Sequence, residues 1–141
     1  MKKIITSTVS LILALLCVVC VVSCNTVDAT GLWENATYKR DMEFGKGDKT
    51  VVLEVKVGEQ TVTFTVKTDK DTVGEALQEH GLIDGEESAY GLYVKVVNGI
   101  TADYDADQSY WAFYINGEMA MTGVDTTEIT AGAVYRFVYT K

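Results

Sequence analysis

The sequence predicts an α+β domain in which one helix crosses a mixed β-sheet. Apolar and polar side chains alternate with the period of a β-strand on both sides of one short helical segment. Gly and Asn-Gly pairs separate these alternating runs, as two-residue hairpin turns require. With 141 residues and no proline, the chain has room for one ordinary core and not for two.

The first 23 residues have the pattern of an export signal. Lys2 and Lys3 precede an apolar run from Ile4 to Val22. Val21-Val22-Ser23-Cys24 resembles the lipobox of bacterial lipoproteins, and this resemblance implies cleavage before Cys24 and lipidation of its thiol. An uncleaved membrane helix is the alternative, because the run is about long enough to span a bilayer. Both interpretations predict a domain on the extracytoplasmic face of the cell membrane.

All three cysteines lie in or at the end of this apolar run, at positions 17, 20 and 24. The exported domain therefore has no cysteine for a disulfide or a thiolate metal site. Cys17 and Cys20 have the spacing of a redox or zinc motif, but their place inside an export signal argues against both.

Residues 24–49 are expected to form the lipidated cysteine and a flexible tether. Their composition is polar and mixed in charge, with no sustained hydrophobic period despite Trp33, Tyr38 and Phe44. The folded domain is then expected over residues 50–141.

The domain begins with a predicted β-hairpin. Residues 51–57 and 62–67 alternate, and Gly58-Glu59 between them suits a type II′ turn. A helix follows, because Thr72 and Glu75 have the spacing of a capping box and Gly81 suits the left-handed position at a helix end. The apolar stripe of this helix is Val73, Ala76 and Leu77.

His80, the only histidine, falls in the last turn of the helix and is interpreted as an ordinary surface residue. Residues 84–88 are expected to form an acidic loop. Residues 91–97 alternate as a strand, and Asn98-Gly99 predicts a turn into a short return strand.

Asp103, Asp105 and Asp107 alternate as the first ligands of a calcium loop do. However, Gln108 occupies the position where such a loop needs glycine, and Tyr114 the position where it needs glutamate. A solvated connector is therefore favoured, and no metal site is predicted.

The central strand is expected over Ser109 to Glu118. One face carries Trp111, Phe113 and Ile115, and the other Tyr110, Ala112 and Tyr114. Asn116-Gly117 predicts a type I′ turn toward Met119 and Met121. Residues 134–140 form the last strand. A crossover helix between early and late strands allows the last strand to run parallel to the first, which is a β-grasp-like layout in one sheet.

Charge and motif content limit the function classes that the chain can belong to. Without Lys2 and Lys3, the chain has 10 basic and 20 acidic residues, so its net negative charge makes nucleic acid a poor partner. The domain has no nucleophile beside a histidine, no phosphate-binding glycine loop and no metal-ligand cluster. The chain is therefore not expected to be an enzyme, and no cofactor is predicted.

Several short motifs together resemble the transcobalamin-like C-terminal domain, the small module of vitamin B12 carriers that also occurs in bacterial surface lipoproteins. The matching residues are Thr72 to Leu77, Tyr90 to Val94 with Gly99, Tyr110-Trp111, Asn116-Gly117, Gly123 to Asp125, and Gly132. In the carriers, the family implies that this module lies against one side of a corrinoid while a helical domain covers the other. No such helical domain is present in this sequence.

These observations favour a lipid-anchored binding protein that captures a corrinoid such as cobalamin, or a similar flat ligand, for a membrane transporter. Ten of the 14 aromatic residues lie between Tyr90 and Tyr139, and such a ligand needs an aromatic wall. The candidate ligand-binding residues are Tyr90, Tyr110, Trp111, Met119 and Met121. The alternative is a cell-surface module that binds a protein or a glycan without a small molecule, because strand addition at a sheet edge needs no special residues.

Overall fold

The computed structural model describes residues 25–141. The export signal predicted for residues 1–23 and the lipidated Cys24 lie outside the described residues. Among residues 25–141, no helix has the length and apolar character needed to cross a bilayer.

The larger of two sheets has six strands, which are β1 (Met42–Gly45), β2 (Lys49–Val57), β3 (Gln60–Thr68), β7 (Tyr110–Ile115), β8 (Glu118–Met119) and β9 (Val134–Thr140). Their order across the sheet is β1-β3-β2-β9-β7-β8. Strands β2 and β3 form an antiparallel hairpin, whereas β9 runs parallel to β2 and antiparallel to β7. The prediction that the last strand runs parallel to the first predicted strand is confirmed.

The smaller sheet has three antiparallel strands, which are β4 (Ile83–Ser88), β5 (Gly91–Val97) and β6 (Ile100–Thr101). The prediction of a single sheet is therefore wrong, and so is the acidic loop at residues 84–88. Gly85 explains why this segment can pair: a Cβ there would lie 1.9 Å from the carbonyl oxygen of Tyr93. Only glycine permits such a close approach, and the acidic side chains suit an exposed edge strand.

Helix α1 (Val73–Glu79) lies between the hairpin and the smaller sheet in sequence. The Thr72 hydroxyl accepts a hydrogen bond from the Glu75 N–H at 3.2 Å, as predicted. The Glu75 carboxylate accepts from the N–H of Asp71, at 3.4 Å, instead of the expected N–H of Thr72. Gly81 ends the helix with a φ of +66°. A second helical turn, α2, spans Tyr104–Asp107.

The core lies on one face of the six-stranded sheet, where the helix and the smaller sheet contribute to one hydrophobic cluster. Its largest fully buried side chains from the six-stranded sheet are Leu53, Phe64, Tyr135 and Phe137. Leu53 pairs with both Phe64 and Tyr135 in register, so these three side chains share a face. Residues 25–141 thus contain both sheets, both helices and this core cluster.

Residues 25–49 do not form the predicted flexible tether. Trp33, in a 3-10 helix at Gly31–Asn35, is 2 % exposed, and its indole N–H donates to the carbonyl of Val57 at 3.3 Å. Strand β1 adds to the sheet edge parallel to β3. The prediction was wrong because these residues are held by contacts with distant parts of the chain, which leave no local hydrophobic period.

Side chains from distant elements lock this N-terminal segment in place. The Asn98 amide is 1 % exposed; its Oδ1 accepts from the Tyr38 N–H at 2.9 Å and its Nδ2 donates to the Tyr38 carbonyl at 2.7 Å. His80, at the end of α1, packs its ring near Phe44 of β1, with 5.7 Å between ring centroids, and its Nε2 is buried, so it is not the ordinary surface residue predicted. Asn98 therefore holds the segment before β1 against the smaller sheet, and His80 holds β1 against the end of the helix.

Candidate functional site

Tyr90 lies on a tight turn between β4 and β5, and the residue is 90 % exposed. The Ser88 hydroxyl accepts from the Tyr90 N–H at 3.2 Å and donates to the Gly91 carbonyl at 2.6 Å. Gly91 has a φ of +96°, which suits glycine. These hydrogen bonds order the backbone on both sides of Tyr90, from which the exposed ring projects.

Met121 follows strand β8 and is 97 % exposed. The chain after it is fixed by threonine hydroxyls: Thr127 Oγ1 donates to the Gly123 carbonyl at 2.7 Å, and Thr122 Oγ1 lies 2.8 Å from Thr127 Oγ1. Because Thr127 gives its only hydroxyl proton to Gly123, Thr122 must be the donor in the second bond. Met121 is thus also presented from an ordered segment.

Tyr90 and Met121 lie on the same open concavity, of about 660 Å³. Its other lining residues are Ala89, Gly91, Thr122, Gly123 and Thr126. A smaller apolar depression of about 130 Å³ shares Thr122 and Gly123 with it and reaches Trp111. The larger volume is within the roughly 300–1,000 Å³ usual for small-molecule sites.

Asp125 joins the two walls of this concavity. Its Oδ2 accepts from the Leu92 N–H at 2.9 Å, so it holds the start of β5. A Cβ at Gly74 of α1 would lie 2.3 Å from Asp125 Oδ1, and one at Gly91 would lie 3.1 Å from Oδ2. The glycines leave room for this carboxylate. Gly74, Gly91 and Asp125 all belong to motifs found in the sequence, but the contacts between them were not predicted.

The five candidate residues do not form one surface. Trp111 is 7 % exposed, its indole N–H donates to the Ile100 carbonyl at 3.1 Å, and it packs edge-to-face against Tyr139. It therefore supports the floor of the smaller depression and offers little ring surface. Tyr110 lies on the opposite face of β7, where its ring is 6.5 Å from that of Tyr104.

Met119 also lies away from the concavity. It is 61 % exposed and directly opposite Tyr114 in the β7–β8 pair, so it shares the face of Tyr114 and Tyr110. The structure brings together Tyr90 and Met121 and separates both from Tyr110 and Met119.

The ammonium group of Lys95 lies near Tyr93, which lines the smaller depression. Lys95 Nζ lies 3.0 Å from Glu86, 3.9 Å from Asp103 and 6.0 Å from the centre of the Tyr93 ring. The hydrogen bond to Glu86, together with the charges of Asp103, Glu86 and Asp105, raises the pKa of Lys95 above its ordinary value, although burial opposes the shift. Carboxylates and an aromatic ring here favour a positive charge.

The aspartates that suggested a calcium loop are used in local structure. Asp103 caps α2 by accepting from the Asp105 N–H at 3.1 Å. Asp107 accepts from both the hydroxyl and the N–H of Ser109 and lies 3.4 Å from Lys141 Nζ. Within residues 25–141, no three His, Cys, Asp or Glu side chains are grouped so that they could hold a metal ion.

Two solved structures are similar to this fold. A proposed metal-binding protein from Ruminococcus gnavus ATCC 29149 is 30% identical, with a TM-score of 0.62; the match covers 67% of this chain and 98% of that one. Haptocorrin in complex with Cbi is 21% identical, with a TM-score of 0.51, over 70% of this chain and 26% of haptocorrin. The chain thus spans about a quarter of haptocorrin, and this likeness concerns the fold alone.

No curated protein matches the chain. The family described as "Domain of unknown function (DUF4430)" matches residues 70–141, from just before α1 to the end of β9 and including both walls of the concavity. The chain therefore belongs to the DUF4430 family.

Proposed function

We propose that this chain is a lipid-anchored, extracytoplasmic binding protein that captures a corrinoid such as cobalamin, or a similar flat ligand, for a membrane transporter. The observation that carries the proposal is the open concavity bearing Tyr90 and Met121. Its anchor would be the lipid on Cys24, for which the support is the lipobox-like sequence.

The shape of the concavity supports a ligand that is covered on one side. A typical pocket encloses most of its ligand, whereas this concavity is open. Tyr90 offers a flat amphipathic ring, and Met121 a flexible, polarisable side chain that adapts to an irregular surface. A flat ligand lying on such a wall keeps its other side free for a second protein, here the transporter.

Exposed apolar side chains in this region also support binding. Tyr90 and Met121 are the two most exposed large hydrophobic residues among residues 25–141, and Tyr93, at the adjoining depression, is also exposed. Solvent-exposed apolar side chains grouped around a concavity are typical of a binding surface. The fixed backbones of the Tyr90 turn and of residues 122–127 reduce the entropy lost when a ligand binds.

The test is titration of residues 25–141 with cobalamin, followed by calorimetry. We expect a measurable affinity that Tyr90→Ala weakens about 5- to 30-fold, the equivalent of losing roughly 1–2 kcal/mol of aromatic contact. Tyr104→Ala is the matched control, because Tyr104 is 55 % exposed and does not line the concavity. Absence of binding at high micromolar cobalamin, or equal effects of the two substitutions, would contradict the proposal.

A further inference from the structure

The folded domain begins at the residue that follows the proposed lipid anchor. Cys24 is bonded to Asn25, whose carbonyl accepts a hydrogen bond from the Asp41 N–H at 3.1 Å. The side-chain amide of Asn25 donates to the Thr61 carbonyl at 2.7 Å, near the start of β3. Consecutive Cα atoms lie about 3.8 Å apart. A lipid on Cys24 would therefore hold this end of the six-stranded sheet directly against the bilayer.

A second concavity, of about 360 Å³, lies beside this attachment point. Thr26 pairs with Arg40 in an antiparallel bridge, and both residues line the concavity. Its other lining residues are Thr37, Tyr38, Lys39 and Met42. None of the lining residues is acidic. The lining thus carries the positive charges of Lys39 and Arg40 in a chain whose net charge is −8.

The segment that carries these two charges is held in place. The Thr37 N–H donates to the Asn98 carbonyl at 2.9 Å, and the Lys39 carbonyl accepts from the Val27 N–H at 2.8 Å. The Lys39 ammonium has three donors, of which one goes to the Ala36 carbonyl at 3.0 Å. An ordered lining loses little entropy when it binds a ligand.

Arg40 offers its charge to solvent. It is exposed, and it forms no ion pair among residues 25–141. The adjacent carboxylate, that of Asp41, accepts from the Thr63 N–H at 2.7 Å and from the Asn25 amide at 3.1 Å. A guanidinium matches two oxygens of a phosphate group, and the ammonium of Lys39 adds a second charge beside it. The concavity therefore has the donors that a phosphate group needs.

We infer that this second concavity binds the phosphate group of an anionic phospholipid in the membrane that holds the anchor. The inference rests on the lipid anchor of the proposed function and is independent of the ligand of the Tyr90–Met121 concavity. An anchor on Cys24 places headgroup phosphates next to Lys39 and Arg40, whereas a free phosphate ion must reach them from solution. The domain then has one orientation on the membrane, because three points fix it: the anchor and the two basic side chains.

The first experiment attaches residues 24–141 through the Cys24 thiol to a maleimide-bearing lipid in nanodiscs that contain phosphatidylglycerol. A nitroxide on the lipid headgroup broadens the NMR signals of nearby backbone amides. We expect strong broadening at residues 37–40 and little at residues 69–70, which follow β3 at the opposite end of the sheet, about 25 Å from Thr61. Equal broadening at the two ends would mean that the domain moves freely on its anchor, and would overturn the inference.

The second experiment measures binding of residues 25–141 to vesicles that contain phosphatidylglycerol, by sedimentation at low salt. Lys39→Gln with Arg40→Gln should weaken binding about 25-fold, because each basic residue near an anionic membrane contributes about fivefold. Lys46→Gln with Lys70→Gln is the matched control: it changes the net charge equally, at two exposed residues outside the concavity.

Equal losses by the two double variants would mean diffuse attraction and would contradict the inference. If Lys39→Gln disturbs the fold through the lost bond to Ala36, Arg40→Gln alone should still weaken binding about fivefold. Lys39→Arg should keep the affinity, since it retains the charge.

Two further titrations separate the alternatives. Inorganic phosphate added to residues 25–141 tests a free ion: if it shifts the amide signals of residues 37–40 while the nanodiscs cause no broadening there, the ligand is a soluble anion and the lipid is wrong. Cobalamin tests the proposed function. Cobalamin binding without broadening at residues 37–40 would refute this inference alone, whereas broadening there without cobalamin binding would support it and refute the proposed capture of a corrinoid.

Discussion

Replacing Trp33 by alanine tests whether residues 25–49 belong to the folded domain. The side chain is 2 % exposed, and Trp33 belongs to the hydrophobic core cluster. Burial of about 200 Å² of ring at about 25 cal/mol per Å² amounts to roughly 5 kcal/mol. Measured Trp→Ala substitutions in cores cost about 3–5 kcal/mol. We therefore expect a loss of about 4 kcal/mol.

The assay is urea unfolding of residues 25–141, followed by circular dichroism. With a slope of about 1.5 kcal/mol per M, the midpoint should fall by about 2–3 M. If Trp33→Ala is unfolded already in water, Trp33→Phe is the milder variant: it keeps one aromatic ring and removes the hydrogen bond to Val57 together with part of the ring packing, at a cost of about 2–3 kcal/mol. Glu34→Ala is the control, since Glu34 is exposed and should change stability by less than about 0.5 kcal/mol. A Trp33→Ala midpoint equal to that of the control would show that the segment is a tether after all.

Two further predictions concern Asp125 and Asp107. Gly74→Ala should destabilise the fold by about 1–2 kcal/mol, because overpacking against Asp125 outweighs the higher helix propensity of alanine. In urea unfolding, the double variant Gly74→Ala with Asp125→Ala should lose less stability than the sum of the two single substitutions. Additive losses would mean that the two residues do not interact. The Ser109 hydrogen bonds, with smaller help from Lys141, hold the pKa of Asp107 below its ordinary value of 3.8. This carboxylate therefore stabilises the fold above pH 3.8 and loses that contribution as the pH falls through its lowered pKa. The stability difference between wild type and Asp107→Asn, measured by thermal unfolding, should be largest near neutral pH and shrink in that acidic range; a difference that grows on acidification would contradict this assignment.

Local backbone chemistry explains what could be predicted from the sequence. Asn98 and Asn116 have φ values of 51° and 52°, and the glycines that follow them are also in the left-handed region, so both type I′ turns are where the Asn-Gly pairs indicated. Gly58 is similarly left-handed, with a φ of 62°, at the first hairpin. Each of these features is encoded by two or three neighbouring residues. Hairpins and the capped helix start were therefore accessible without coordinates.

Contacts between distant residues explain what could not be predicted. The pairing of β4 with β5 depends on Gly85 approaching Tyr93, and the order of residues 25–49 depends on partners such as Val57 and Asn98. Neither relation leaves a periodic signal in the sequence. The second sheet and the ordered N-terminal segment therefore emerged only from the structure.

The candidate site was predicted in part. Tyr90 and Met121 line the same concavity although 31 positions separate them, and no local pattern predicts that they lie together. By contrast, strand alternation already put Tyr110 and Trp111 on opposite faces, so both could not contact one ligand in the same way. The alternation alone therefore predicts that only one of the two residues faces a given ligand.

We expect a ligand to contact the wall formed by residues 89–94 and 121–126. Backbone amide NMR signals of residues 25–141, recorded before and after addition of cobalamin, test this contact. We predict changes confined to these two segments, with little change at the indole N–H of Trp111, which is buried against the Ile100 carbonyl. Unchanged spectra, or changes centred on the opposite sheet face around Tyr110 and Met119, would show that cobalamin does not bind at this wall.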